Sequence, residues 1–298
     1  MGIVVSAPGS CGELVQGTID GKNFLVTCPV DLFAEVELYP GDLLQGKTGH
    51  KVMAAVERTL LYLGAGLERY HVAVRSELPV GKGMASSSAD ISAACLATAL
   101  SVGRSLSVDE IADIALSIEP TDAIFYPGIA LFDHIKGRVR QSLGNPPPMR
   151  IVVFDVGGEV DTVSFNQRQD LAALNAAKEP EVRQAVEWVT RGIATGDCRL
   201  IGAAATLSAR ANQPILYKPC LETIIEISGR LGAVGVNVAH SGTVVGVLFP
   251  PQLAASTEEC IRAIGQACPA VEYVSTVNLI SGGLVEGGSE RDELCCQG

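Results

Sequence analysis

The sequence predicts an α+β protein of two lobes, and three observations carry that reading. Short apolar runs separated by turns fill the first 40 residues, and helical spacing follows them. The second half orders its apolar segments as strand, helices, two strands, helix and strand, which suits an α/β sandwich with an antiparallel sheet on one side. Between the halves stands Gly144-Asn145-Pro146-Pro147-Pro148, a run that neither helix nor central strand tolerates. It divides the chain into lobes 1–145 and 146–298.

Taken in order, 3–5, 24–28 and 32–38 read as strands, with Ala7 to Gly17 a loop holding three glycines. Val52, Val56, Leu60 and Leu63 recur at helical spacing over 51–63, and 70–78 returns to strand. A helix is expected from about Ser86 to Leu100. A second starts at Ser107, whose hydroxyl can cap it with Glu110 as capping-box partner, and Pro120 stops it. Strands at 129–133 and 137–141 close the first lobe. The second opens on the wholly apolar 151–156, continues through helical stretches at 166–177, 180–193, 198–211 and 219–231, and ends on strands 234–239 and 244–249, a helix over 251–266 and a strand over 271–280.

Bulk properties exclude several roles. The 298 residues carry 33 acids against 22 bases, a net charge of −11, so no field attracts a nucleic-acid backbone or an anionic membrane face. No run reaches the ~18 apolar residues of a membrane span and no leader opens the chain, so the expected location is cytoplasmic. The nine cysteines form no C-x-x-C pair, which argues against zinc. Most read as core fillers, with Cys295 and Cys296 the exposed ones. A homodimer is left open.

The densest chemistry lies in Pro79-Val80-Gly81-Lys82-Gly83-Met84-Ala85-Ser86-Ser87-Ser88, at the mouth of an apolar helix. Gly81 and Gly83 allow close backbone approach, and the serines fall where helix N–H groups lack partners and the dipole favours an anion. That is a phosphate cradle. It is not a Walker loop, because Lys82 stands between the glycines, and Ser86 replaces the third glycine of a dinucleotide fingerprint. A glycine turn with a serine N-cap is the plain alternative.

Three other segments gain weight beside it. Glu119-Pro120-Thr121-Asp122 puts carboxylates at a helix end, where one can hold a cation and another orient a hydroxyl, although Asp after proline is also an ordinary turn. Residues 8–17 offer Glu13 and Gln16. Gly232 to Thr243 offers small residues with His240, Ser241 and Gly242, where His240 can equally be a structural histidine.

The string Pro79 to Ala89 is similar to the Pro-x-x-x-Gly-Leu-Gly-Ser-Ser-Ala-Ala motif of the GHMP small-molecule kinases, with Met84 and Ala85 replacing Leu and Gly. The Pro8-Gly9 segment resembles that family's first motif and 232–247 its third, in the family's order. Ser-Cys-Gly-Glu-Leu-Val-Gln-Gly at 10–17, Cys-Pro-Val-Asp at 28–31, Ile-Glu-Pro-Thr-Asp at 118–122, Leu-Phe-Asp-His at 131–134 and Ala-His-Ser-Gly at 239–242 resemble one branch, the L-threonine kinases of cobalamin biosynthesis. The resemblance implies an N-terminal lobe like ribosomal protein S5 and a C-terminal ferredoxin-like lobe.

It also implies ATP and Mg²⁺. ATP phosphates would lie over Pro79 and Gly81 to Ser88, Ser87 and Glu119 would hold the metal with Glu110 and Asp113 as rivals, and Asp122 would take or orient the hydroxyl proton. Glu13 and Asp31 are candidates for a substrate ammonium, and His240, Ser241 and Gly242 for its carboxylate. The implied substrate is L-threonine, phosphorylated on its side-chain hydroxyl for cobalamin nucleotide-loop assembly. Homoserine kinase, another family kinase, and a nucleotide-binding regulator without turnover are the alternatives.

Overall fold

The computed structural model describes residues 2–41, 49–66, 70–158 and 168–287. Cys295 and Cys296 lie outside them, and the seven described cysteines are free thiols. Two long strands, β1 (Ile3–Ile19) and β2 (Lys22–Pro40), form one antiparallel hairpin. Asp20 and Gly21 both have positive φ, as the two-residue turn that suits strand twist requires.

The expected loop over Ala7 to Gly17 is therefore strand. Its glycines do not end the ladder; they bend it through register shifts between Pro8 and Gly9, Ser10 and Glu13, and Glu13 and Val15. Likewise 24–28 and 32–38 belong to the single strand β2. The helix α1 (His50–Tyr62), β3 (Tyr70–Ser76), α2 (Ser86–Ser101) and α3 (Val108–Ile118) follow, then β4 (Ile129–Phe132) and β5 (Arg140–Gly144). The capping box at Ser107 and Glu110 is formed, and α3 ends before Glu119-Pro120.

After residue 145 come β6 (Met149–Asp155), α4 (Leu171–Ala177), α5 (Glu179–Thr195), α6 (Cys198–Ala211), α7 (Leu221–Arg230), β7 (Gly235–Val238) and β8 (Val244–Phe249). A 3₁₀ segment (Pro251–Ser256), α8 (Thr257–Ala267), β9 (Glu272–Leu279) and β10 (Val285–Glu286) complete the described chain. The expected helix over 251–266 starts late because a kink at Leu253 separates its first turn. Strands β6 to β9 lie in the order β7-β8-β6-β9, all antiparallel, which with the intervening helices is the ferredoxin-like arrangement.

One sheet runs through both halves, in the order β10-β1-β7-β8-β6-β9-β2-β4-β5 with β3 on β2. Apart from β10, which pairs with β1 at Val5–Glu286 and Ser6–Val285, the β1–β2 hairpin meets the strands of the second half at two single register pairs, Glu13 with Val238 and Val30 with Leu279.

Three cores result. Val5, Val36 and Leu38 of the hairpin pack on Val56, Ile91 and Ile111 of the first three helices. Leu14, Val15, Phe24 and Val26 from the hairpin's other end pack with Ile151, Val153, Val182 and Ile201, so this core draws on both sides of the Gly144 to Pro148 run. Val152, Phe154 and Val247 on the opposite sheet face pack on Ile224 and Ile264. Helix α2 is buried almost all round from Ser88 to Ala99, and its run of small side chains lets it lie directly on β1 and β2. No helix among the described residues is long and apolar enough to cross a membrane.

Helix α6 approaches β7 at Gly202, where an added Cβ would collide with the Val234 carbonyl. The obstacle is backbone on both sides and cannot turn away. Gly202→Ala is expected to lose about 1–3 kcal/mol of stability; an unchanged urea midpoint would show that the helix slides freely there.

Candidate active site

The segment 79–85 leaves β3 and is pinned on two sides before α2 begins. From β1, Ser10 N–H donates to the Met84 carbonyl at 3.1 Å and Gly12 N–H to that of Gly83 at 3.4 Å. From the turn between β7 and β8, the N–H groups of Thr243 and Val244 both donate to the Lys82 carbonyl, at 2.9 and 3.1 Å. Gly83, at φ +86°, faces Ala239 and Gly242 so closely that a Cβ would stand 2.5 Å from the Ala239 methyl. The glycines at 83 and 242 are thus required by backbone-on-backbone packing as well as by torsion.

Ala85 is the N-cap of α2, in the left-handed region at φ 57°, and no side chain caps the helix. Ser86, Ser87 and Ser88 are its first three residues, so the serines are not the caps of the plain alternative. The first-turn N–H groups keep their ability to bind an anion. Lys82 pairs with Asp155 at the end of β6, its Nζ 2.5 Å from Oδ2.

Ser87, Glu119 and Asp122 converge there. The Ser87 hydroxyl donates to Glu119 Oε1, and Asp122 N–H donates to Ser88 Oγ at 3.0 Å with Asp122 Oδ2 3.5 Å from the same hydroxyl. Lys51, from the first turn of α1, completes the group, with Nζ 2.6 Å from Glu119 Oε2 and 3.2 Å from Ser87 Oγ. Sequence reasoning missed Lys51 because nothing in an amphipathic helix marks one exposed-looking lysine as facing another helix's mouth.

Asp90, one turn into α2, was missed too. Burial pushes its carboxyl up to about 6, against the pull of Lys51. The rivals for the metal are committed elsewhere: Glu110 accepts from Ser107 and from Tyr62 Oη at 3.0 Å, and Asp113 pairs with Arg140.

The acids form a graded set. Burial first, then the Glu119 charge, push the Asp122 carboxyl up to about 6, while the Ser88 hydroxyl pulls it down. Glu13 is buried on the bulged part of β1, and its Oε2 has no hydrogen-bond partner. Burial and the Asp122 charge raise it well above the usual carboxylate range, with Thr27 opposing. Asp31 is not part of this set. Both of its oxygens are taken by Asn278 of β9, the backbone N–H at 2.7 Å and the side-chain amide at 2.6 Å.

His240 follows β7, with Nδ1 3.0 Å from Gln16 Oε1. The Gln16 amide donates from Nε2 to the Val238 carbonyl at 3.3 Å, which orients Oε1 to accept, so Nδ1 carries the proton. His134, just beyond β4, stacks edge-on against it at 4.9 Å between ring centres. Gly242 of the same turn packs on Gly83, and its carbonyl accepts from the buried Lys218 ammonium. Ser241 lies beside it on the turn.

The sequence and the fold match a known family along most of the chain. Residues 50–127 match the GHMP kinases N terminal domain and 189–267 the GHMP kinases C terminal. The chain belongs to the GHMP kinases. An L-threonine kinase of Salmonella typhimurium is 37% identical over 252 residues, covering 83% of this chain and 82% of that protein. One from Citrobacter freundii is 34% identical over 249 residues, covering 83% and 86%.

Among solved structures, a mevalonate kinase superposes with a TM-score of 0.70 at 15% identity, covering 94% of this chain and 99% of that one. A homoserine kinase from Cytophaga hutchinsonii gives 0.69 at 20% identity, covering 96% and 97%. These two carry the fold only. As a GHMP kinase the chain has ATP as its expected nucleotide.

The Asp122 carboxyl has a folded pKa raised above its ordinary 3.8. Its ionisation therefore costs the folded state stability as pH climbs from about 4 through about 6 and beyond. In thermal melts, the Tm of Asp122→Asn relative to the unaltered protein is expected to rise between pH 5 and pH 8. A flat difference would mean that Asp122 is ordinarily solvated.

Proposed function

We propose that this GHMP kinase transfers the terminal phosphoryl group of ATP to the side-chain hydroxyl of L-threonine, giving L-threonine O-3-phosphate. The observation that carries the reading is the meeting of Ser87, Glu119 and Asp122 at the mouth of α2, in a chain more than one third identical to an L-threonine kinase. The product would serve cobalamin nucleotide-loop assembly, as the branch resemblance implies. We take 1–145 and 146–298 as the lobes that supply the two walls.

In this reading the phosphates rest over Gly81 to Ser88, with Pro79 at the entry, and receive the N–H groups of the first turn of α2. The serine hydroxyl and carboxylate of Ser87 and Glu119 are hard oxygen donors that suit Mg²⁺, which takes one or two carboxylates and completes its shell with phosphate oxygens and water. When bound, the metal would neutralise charge that develops on the transferred group.

Asp122 faces the acceptor hydroxyl. With its pKa near 6 it is mostly ionised at neutral pH yet a better proton acceptor than an ordinary aspartate. Glu13 takes the substrate ammonium: an entering cation stabilises the ionised form of a buried, unpartnered carboxyl.

A coupled ADP-release screen over L-threonine, L-serine, L-homoserine and mevalonate tests the substrate. L-threonine is expected to give the highest kcat/KM, and a higher value with L-homoserine would move the chain to that activity. The margin over serine and homoserine rests on one methyl or methylene and is expected to be about 10–200-fold.

Asp122→Asn is expected to lower kcat about 10²–10⁴-fold with nucleotide binding retained. Near-normal single turnover would remove Asp122 from the proton-handling role. Lys51→Met is expected to raise the KM for ATP about tenfold, through loss of the charge that steadies Glu119 and Ser87; an unchanged KM would make Lys51 a surface contact only.

A further inference from the structure

A cavity of about 340 Å³ opens between the tip of the β1–β2 hairpin, the turn after β4 and helix α4. Thr18, Asn23, His134, Arg168 and His240 are among the residues of its wall. Two buried groups, one in its wall and one behind it, are not explained by the folded chain alone. His134 is 5% exposed, and neither of its ring nitrogens has a hydrogen-bond partner. A buried imidazole without partners costs free energy that a bound ligand would recover.

Lys178, between α4 and α5, is 6% exposed, and its ammonium donates to Asn212 Oδ1 at 2.7 Å. No carboxylate among the described residues pairs with it. A buried cation whose partner is a neutral amide calls for an anion. Its Cε lies behind Gly17, and Asn212 accepts from Ile215 N–H through its carbonyl; Gly17 and Ile215 both line the cavity.

The cavity is also tied to the reacting centre. Thr121, the neighbour of Asp122, donates its N–H to the His134 carbonyl at 3.0 Å. Gln16, which holds His240, stands three residues beyond Glu13 on β1. An amino acid with its hydroxyl at Asp122 and its ammonium at Glu13 has one group left to place.

We propose that this cavity receives the carboxylate of the acceptor amino acid, with the His134 ring donating a hydrogen bond to it and the buried Lys178 ammonium supplying the opposing charge. The proposal rests on the reading of the chain as a kinase of a hydroxy amino acid. It gives the enzyme a reason to reject simple alcohols, because without a carboxylate the buried ammonium and imidazole stay uncompensated. Arg168 is held by Asp170 at 2.7 Å and contributes to the wall rather than to the recognition.

The test compares L-threonine with L-threoninol, which keeps the ammonium and the hydroxyl and lacks the carboxylate, in the ADP-release assay on the full chain. The unaltered enzyme is expected to prefer L-threonine by at least about 100-fold in kcat/KM, and that preference to shrink at least about 30-fold in Lys178→Met and about tenfold in His134→Ala. Equilibrium binding of a non-hydrolysable ATP analogue reports whether each variant keeps its nucleotide site.

Use of L-threoninol within a few-fold of L-threonine by the unaltered enzyme overturns the proposal whether or not the variants fold. So does an undiminished preference in both variants. Turnover of neither acceptor overturns the kinase reading itself, and this proposal with it.

Discussion

The Lys82–Gly83 backbone lies directly on the backbone of Gly242 to Val244, and the placement of every other candidate group follows from that contact. Two N–H groups of the β7–β8 turn converge on the Lys82 carbonyl while β1 holds the next two carbonyls from the other side. Because the partners are main chain, the geometry leaves no room for a side chain at 83 or 242. The turn's position fixes where α2 starts, and the start of α2 fixes Ser87 and Ser88. Left-handed Ala85 joins the turn to the helix, a conformation that disfavours an L residue by roughly 1–2 kcal/mol and that the surrounding hydrogen bonds must offset.

Electrostatics then divide the acids by environment. Glu119 stands against a lysine and a hydroxyl. Asp122 is deeper and meets a hydroxyl and a backbone N–H, so its carboxyl is held near 6. Glu13 is deepest, and its charge has the least support. Three carboxylates of one chemistry thereby stand in three different environments.

Much of this was legible in the residues, and what was not has physical causes. The second half could be ordered correctly because its strands are continuous apolar runs and its helices amphipathic. The first hairpin was broken into pieces because glycines and a proline inside β1 read as loop, although Asp20-Gly21 between alternating runs is a hairpin signal. Ser87, Glu119 and Asp122, singled out through the family resemblance rather than by local pattern, do lie together in the structure. Lys51, Asp90, His134 and Lys178 were not given roles, because their meaning comes only from what folding sets beside them. Asp31 and Lys82 show the reverse case: each carries the right chemistry, and each is drawn to a partner that its own segment does not reveal.

The two halves of the molecule share a sheet, and the hairpin joins the β7-β8-β6-β9 strands through one register pair at each end of that set. One of those pairs is Glu13 with Val238. Because Leu14 and Val26 of the same hairpin also pack with Val182 and Ile201 in a shared core, the strand that carries Glu13 is clamped from the sheet edge and the sheet face together, which leaves that carboxylate little freedom to shift.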